Sequence, residues 1–188
     1  MRKGVRAASF GVLLVLAATA GAEGPTWAEL NTQVAALFQS GKYAEAVPVA
    51  EEALKSAEAS FGPDSAETAL SLNNLALIYK TQKRYSDAGS LYERALSISE
   101  KLVGTEHPDL TVTINNLAFL YYAEGRYAKG DDLCTRAIGI LEKAYGPDHV
   151  NVAVALEKSA ALKRQAGKTA EADDMERRAA EIRQKTGS

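Results

Sequence analysis

Apolar residues fall at Leu72, Leu75, Ala76 and Tyr79, the i, i+3, i+4, i+7 spacing of one helix face. The set returns as Ile114, Leu117, Ala118 and Tyr121, 114 − 72 = 42 residues later. A second stripe, Ala88, Leu91, Tyr92, Ala95 and Leu96, is matched at the same step by Gly130, Leu133, Cys134, Ala137 and Ile138. The segments between them repeat too. Phe61-Gly62-Pro63-Asp64 aligns with Val103-Gly104-Thr105-Glu106 and Tyr145-Gly146-Pro147-Asp148, and Asn73-Asn74 aligns with Asn115-Asn116. One step back, Leu30, Gly41-Lys42-Tyr43, Ala46 and Ala53-Leu54 occupy the expected positions of a more divergent copy. Two helical stripes per fixed period describe units that cannot bury their apolar faces alone and must stack. The pattern predicts an all-α chain, an α-solenoid of antiparallel helix pairs, with units at about 26–60, 61–102, 103–144 and 145–186.

Local signals place the helix ends. Thr26 followed by Glu29 is a capping box after Gly24-Pro25. A second helix is expected from about Tyr43 to Ser60, with Pro48 early in it and a slight bend there. Gly62 and Gly104 are expected to end helices in a left-handed conformation. Asp64 and Asp148 are expected to cap the next helices, and Pro108 to lie in the first turn of its own. The last unit departs from the others: its stripe is Leu156, Ser159, Ala160 and Lys163, and Glu176 stands where Tyr92 stands. Lys163-Arg164 and the charged stretch to Lys185 read as a solvated cap on the end of the stack.

Composition and charge add a compartment. Arg2, Lys3 and Arg6 precede an uncharged run from Ala7 to Ala22 that ends in Ala20-Gly21-Ala22, the basic, apolar, small order of a secretory signal peptide. The run is shorter than the ~18–20 residues of a spanning helix. Residues 1–22 are therefore expected to be removed, leaving an exported array, 23–188, in the periplasm or outside the cell if the source is bacterial. The whole chain has a formal charge of −2, and losing three basic residues leaves 19 − 24 = −5. No basic footprint for nucleic acid is present. The single cysteine, Cys134, excludes an intramolecular disulfide and reads as a packed core thiol in the place of Tyr92.

Leu75-Ala76, Tyr79, Tyr85, Ala88, Tyr92 and Ala95 match the small and aromatic positions of the tetratricopeptide repeat. The unit is longer than the usual repeat. With its Gly-Pro-Asp or Glu-His-Pro-Asp before a helix and Asn-Asn-Leu-Ala within it, it resembles the long repeats of kinesin-light-chain-type proteins, from Trp27 to about Lys185. The resemblance implies a right-handed superhelix whose concave side is lined by the first helix of each unit and binds other proteins.

The helical period then selects the residues on that side. Opposite the buried Leu72, Ala76 and Tyr79 lie Leu70, Asn73, Leu77, Lys80 and Thr81, flanked by Asn74. Val112, Asn115, Phe119, Tyr122 and Ala123, flanked by Asn116, follow in the next unit, and Asn31, Ala35, Phe38 and Gln39 precede them. Asn31, Phe38, Asn73, Asn74, Leu77, Lys80, Asn115, Asn116, Phe119 and Tyr122 are the candidate partner-binding residues. Asn in mid-helix competes with the backbone, so its recurrence needs compensation. Either the amides clamp a partner's backbone, as paired donor and acceptor allow, or they bond between units and set the superhelix. Phe38, Leu77, Phe119 and Tyr122 form an apolar strip suited to anchoring a partner segment.

Chemistry is weakly represented. His107 and His149 are one period apart and cannot converge on a metal, and the chain has no H-E-x-x-H, G-x-S-x-G or phosphate-binding glycine loop. No enzyme activity, cofactor or metal is expected. The expected partner is another protein, through a peptide or helical segment, with no nucleic acid and no membrane beyond the signal peptide. The alternative is a self-associating structural protein, a weak homo-oligomer that stacks through a first unit exposing Trp27 and Val34.

Overall fold

The computed structural model describes residues 24–187; the expected signal peptide lies outside them. The described residues form eight helices and no strand: α1 (Trp27–Gln39), α2 (Tyr43–Phe61), α3 (Ala66–Thr81), α4 (Tyr85–Val103), α5 (Leu110–Ala123), α6 (Tyr127–Tyr145), α7 (Val150–Gln165) and α8 (Thr169–Thr186). The second helices start at 43, 85, 127 and 169, a step of 42 each time. Three-residue turns make each pair antiparallel. Each helix packs on its neighbours in sequence, and α1 also meets α3 as α5 meets α7.

Small residues let the helices approach. Ala46, Ala76, Ala88 and Ala118 are wholly buried, so ridges of one helix settle into grooves of the next. Tyr92 is wholly buried at the centre, its hydroxyl without a hydrogen-bond partner among the described residues, and burial pushes its pKa up. Ionic ties repeat with the same period. Arg94 reaches Glu58, Arg136 reaches Glu100 and Arg178 reaches Glu142, each across one unit boundary. Within units Lys101 pairs with Asp64, Lys143 with Glu106 and Lys185 with Asp148.

Those last pairs correct the expected caps. Ser65, not Asp64, is the N-cap of α3, and its hydroxyl accepts from the Thr68 amide at 3.1 Å. His149, not Asp148, caps α7 by accepting from the Asn151 amide at 3.1 Å. The acids stand one residue too early to cap, and they hold the end of the paired helix instead. At the start of the chain the Thr26–Glu29 capping box is present. Pro108 lies two residues before α5, ahead of the Asp109 N-cap and not in the first turn as expected, and α2 runs unbroken through Pro48. Gly62, Gly104 and Gly146 end helices with φ of 94°, 86° and 90° and ψ of 160°, 163° and 158°. This is not the left-handed helical conformation expected. It is an extended conformation at positive φ, open almost only to glycine, which turns the chain out of one unit and into the next.

The first unit is not an apolar end. Val34 is 4% exposed. Trp27 is half-buried, stacked edge-on against Phe61 at 5.5 Å and donating its indole N–H to the Ser71 hydroxyl at 2.8 Å. What α1 exposes is Glu29, Thr32, Gln33 and Gln39 with the small Ala28, Ala35 and Ala36, and Gln33 stands at the position of the buried Leu75 and Leu117. The surface proposed for end-to-end stacking is therefore largely polar. No described helix is long and apolar enough to cross a membrane.

Candidate functional site on the first-helix face

The candidate residues lie on α1, α3 and α5, in the seams between successive first helices. Asn31, Phe38, Asn73, Asn74, Leu77, Lys80, Asn115, Asn116 and Phe119 are all half-buried. Most of the amides are engaged between units. Asn74 Nδ2 donates to Asn31 Oδ1 at 3.0 Å, and Asn31 Nδ2 donates to the Trp27 carbonyl at 3.2 Å. The Thr113 hydroxyl donates to Asn73 Oδ1 at 3.0 Å, and Lys80 Nζ donates to Asn116 Oδ1 at 2.7 Å. Buried or half-buried amides are compensated in this way. Asn115 is the exception. It repeats Asn73, but the residue in register with Thr113 is Ala155 (113 + 42 = 155), which offers no hydroxyl. Asn115 has no hydrogen-bond partner among the described residues.

Tyr122 leaves the predicted strip. It is 6% exposed, and its hydroxyl donates to Asp131. The cause lies on α6. Where the preceding unit has Ala88 and Tyr92, this one has Gly130 and Cys134, and the Tyr122 ring occupies the space a side chain on Gly130 would fill. An aromatic ring from α5 thus replaces part of the ring lost from α6, and the strip that remains is Phe38, Leu77 and Phe119. Phe38 packs edge-on against Tyr43 at 5.2 Å, and Phe119 against Tyr85 at 6.2 Å.

Lys163 is also displaced from its expected solvated place. It is 5% exposed, donating to Asp131 at 2.5 Å and to Glu171 at 2.6 Å. Lys168 also donates to Asp131. In the units before, the same position is Tyr79 or Tyr121, whose hydroxyls reach Glu51 at 2.8 Å and Glu93 at 2.6 Å. Burial works against the Asp131 carboxylate, but hydrogen bonds from Lys163, Lys168 and Tyr122 outweigh it and hold its pKa at about 2. Burial works against the Lys163 ammonium too, and Asp131 and Glu171 together raise it above the ordinary value. The cluster ties α5, α6, α7 and α8 together. Farther out, Arg164 pairs with Asp173 and Glu176 on the exposed surface expected of a terminal unit.

Three hollows open along the first-helix face. One of about 180 Å³ lies between α1 and α3, beside Phe38, Asn74 and Leu77. One of about 260 Å³ lies between α5 and α7, beside Val112, Asn115, Tyr145, Val154 and Lys158. One of about 250 Å³ adjoins it, with Lys80, Asn115, Phe119, Lys158, Ser159 and Leu162 around it. The last two share Asn115 and Lys158. Lys80 Nζ stands 5.2 Å from the Phe119 ring centroid, a cation–π contact. Burial, and then the charge of Lys158, lower the Lys80 pKa. Neither lysine is ion-paired within the described residues.

Lys158 and Ser159 were not singled out from the sequence. The signal was available in the register: Lys158 stands where Asn74 and Asn116 stand, and Ser159 where Leu75 and Leu117 stand. His107 and His149 serve their own helix starts, each accepting a backbone N–H through Nδ1. Burial pushes the Cys134 thiol up, as for a packed thiol.

Solved structures with this architecture come from distant sequences. BtubC (BKLC) from P. vanneervenii superposes with a TM-score of 0.77 at 22% identity, over 86% of this chain and 65% of that one. The chain thus spans about two thirds of the length of BtubC. A singly substituted form of a Podosopora anserina protein of nearly identical TPR-like repeats, described as a kinesin light chain, superposes with a TM-score of 0.79 at 22% identity, over 90% of this chain and 80% of that one. MamA gives a TM-score of 0.59 at 17% identity, over 86% and 80%. At these identities the likeness concerns the fold. No curated protein matched the sequence. The tetratricopeptide-repeat family profile matches residues 27–101 and 109–185, helix pairs α1–α4 and α5–α8, and the chain belongs to that family.

Proposed function

We propose that the protein is an exported interaction module, an adaptor or scaffold that holds a peptide or helical segment of another protein along the first-helix face. Repeats of this family generally serve protein–protein interaction, and that face is the expected concave side. The observation that carries the reading is the unsealed surface along the first helices. Phe38, Leu77 and Phe119 remain half-buried and stand beside hollows that open along that face. Half-exposed aromatics next to hollows are what binding anchors need. Asn115 adds an uncommitted donor and acceptor beside them.

With the expected signal peptide removed on export, the proposed site of action is outside the cytoplasmic membrane. A photo-crosslinking residue at Leu77 should capture a protein in the exported fraction of the native cells. The same residue at Ser97, exposed on α4, should not. Phe38→Ala and Phe119→Ala should reduce the capture while leaving helicity and melting within the range of surface variants. Equal capture from Leu77 and Ser97 would refute the groove. A mature chain that begins at Met1 and stays in the cytosol would refute export.

A further inference from the structure

We infer that the hollow at the junction of the third and fourth units is a binding site for a small organic carboxylate with a ring-sized apolar body. This goes beyond the partner groove, because it requires no protein partner.

The hollow exists because three positions lost volume together. Cys134 stands for Tyr92, Ser159 for Leu75 and Leu117, and Ala161 for Leu77 and Phe119. Tyr122 recovers part of that space from α5, and about 250 Å³ stays open. For scale, a dry cavity of about 150 Å³ lined by apolar side chains accepts benzene. The inner wall is apolar and soft, made by Phe119, Leu162 and the buried Cys134.

The polar lining has one sign. Lys80 spends one of its three donors on Asn116 and carries its charge over the Phe119 ring. Lys158 faces the same space with no acidic partner among the described residues, and the Asn115 side-chain amide has no hydrogen-bond partner among them. Among the described residues no carboxylate lines the hollow. Nearby, by contrast, Lys163 and Lys168 are matched by Asp131 and Glu171. Two cations that repel one another across a partly desolvated space gain most from a single anion between them. A carboxylate accepts from both ammonium groups and from the Asn115 amide at once, with its apolar body in the space that Tyr92 and Leu117 fill one unit earlier.

The test is calorimetric titration of the purified full chain with phenylacetate and, separately, with its neutral isostere phenylacetamide, together with amide chemical shifts. Phenylacetate should bind saturably, one per chain, with shifts centred on Asn115, Phe119, Lys158 and Ser159. The neutral amide should bind about tenfold more weakly or worse, because charge-assisted hydrogen bonds are lost. Ser159→Leu restores the residue of the two preceding units and fills the hollow, so it should abolish binding while the protein still folds. Lys158→Ala, an exposed change, should weaken binding about tenfold. Phe38→Ala, at the other end of the array, should leave the titration untouched, so the partner groove and this site fail separately. The proposal is overturned if phenylacetate does not saturate, if the amide binds equally well, or if Ser159→Leu binds like the parent.

Discussion

The ring of Tyr122 lies against the backbone of Gly130, in the volume that a Cβ there would need. One unit earlier the pair is Lys80 and Ala88, and the second-helix residue is free to be alanine because the first-helix residue points away. Helix propensity alone favours Gly130→Ala by about 1 kcal/mol. The ring is held in place, since Asp131 accepts from its hydroxyl and it packs in one cluster with Ala118, Cys134 and Leu162. Gly130→Ala should therefore destabilise by about 1–3 kcal/mol, as overpacking does. Adding Tyr122→Lys, which recreates the Lys80–Ala88 pair, should recover part of the loss. A double-mutant cycle by thermal melting with no coupling between the two sites would contradict this account.

The charged cluster beneath that ring sets an acid limit. Asp131 titrates at about 2 in the fold against an ordinary value of 3.8. A depressed carboxylate stabilises fully above its unfolded pKa, and the contribution drains as pH falls from about 4 to about 2. With solvent at the rim of the cluster, the loss amounts to about 1 kcal/mol. Asp131→Asn should be less stable than the parent at pH 6, and the gap should narrow between pH 4 and pH 2. A constant gap over that range in pH-dependent melting would exclude Asp131 as the titrating group. Lys163→Met removes the most buried charge of the cluster and should cost about 2 kcal/mol at pH 6, less than a sole buried pair because Lys168 still faces Asp131.

The fold was legible because one number, the 42-residue step, repeats without slippage and ties each helix to its copies. Positions that kept their residue type behaved as their copies predict: Leu72, Leu75 and Ala76 are buried, as are Ile114, Leu117 and Ala118. What escaped was compensation between positions. Tyr122 sits on the exposed face by helical period, and only the joint loss of bulk at Gly130 and Cys134, on another helix, draws it inward. Lys163 reads as solvated until Asp131, 32 residues before it, and Glu171 are seen to converge on it. The capping error came from a shorter distance. Asp64 and Ser65 are both good cap residues, and propensity cannot choose between neighbours one position apart. The first-helix face was legible as a face, but the division of its amides was not, because Asn73 and Asn115 differ only in what the next unit places opposite them.

Gly104 offers a test of the joins between units. Its φ of 86° and ψ of 163° lie where side-chain-bearing residues are strained, although a Cβ there would meet nothing within 4 Å. Gly104→Ala therefore isolates backbone strain from packing. It should cost about 1–3 kcal/mol, while Gly139→Ala, a mid-helix glycine also with open space, should gain up to about 1 kcal/mol. Equal stability of the two variants in denaturant unfolding would mean that the join relaxes freely.

Asn73 and Asn115 separate architecture from function within one repeated motif. Asn73 accepts from the hydroxyl of Thr113, which is 5% exposed. Asn73→Ala leaves that hydroxyl unsatisfied and should cost about 1–2 kcal/mol, or roughly 2–8 °C in melting temperature for an array of this size. Asn115 faces Ala155 instead and holds nothing in place, so Asn115→Ala should melt within a degree or two of the parent. Its loss should appear only in binding, as weaker capture of a protein partner or of a small carboxylate at the α5–α7 seam. Thr113→Ala in the Asn73→Ala background should add little, because the hydroxyl stranded by the first change is removed by the second. If Asn115→Ala proves as destabilising as Asn73→Ala, the amide at 115 is structural and is not free to hold a ligand at the seam.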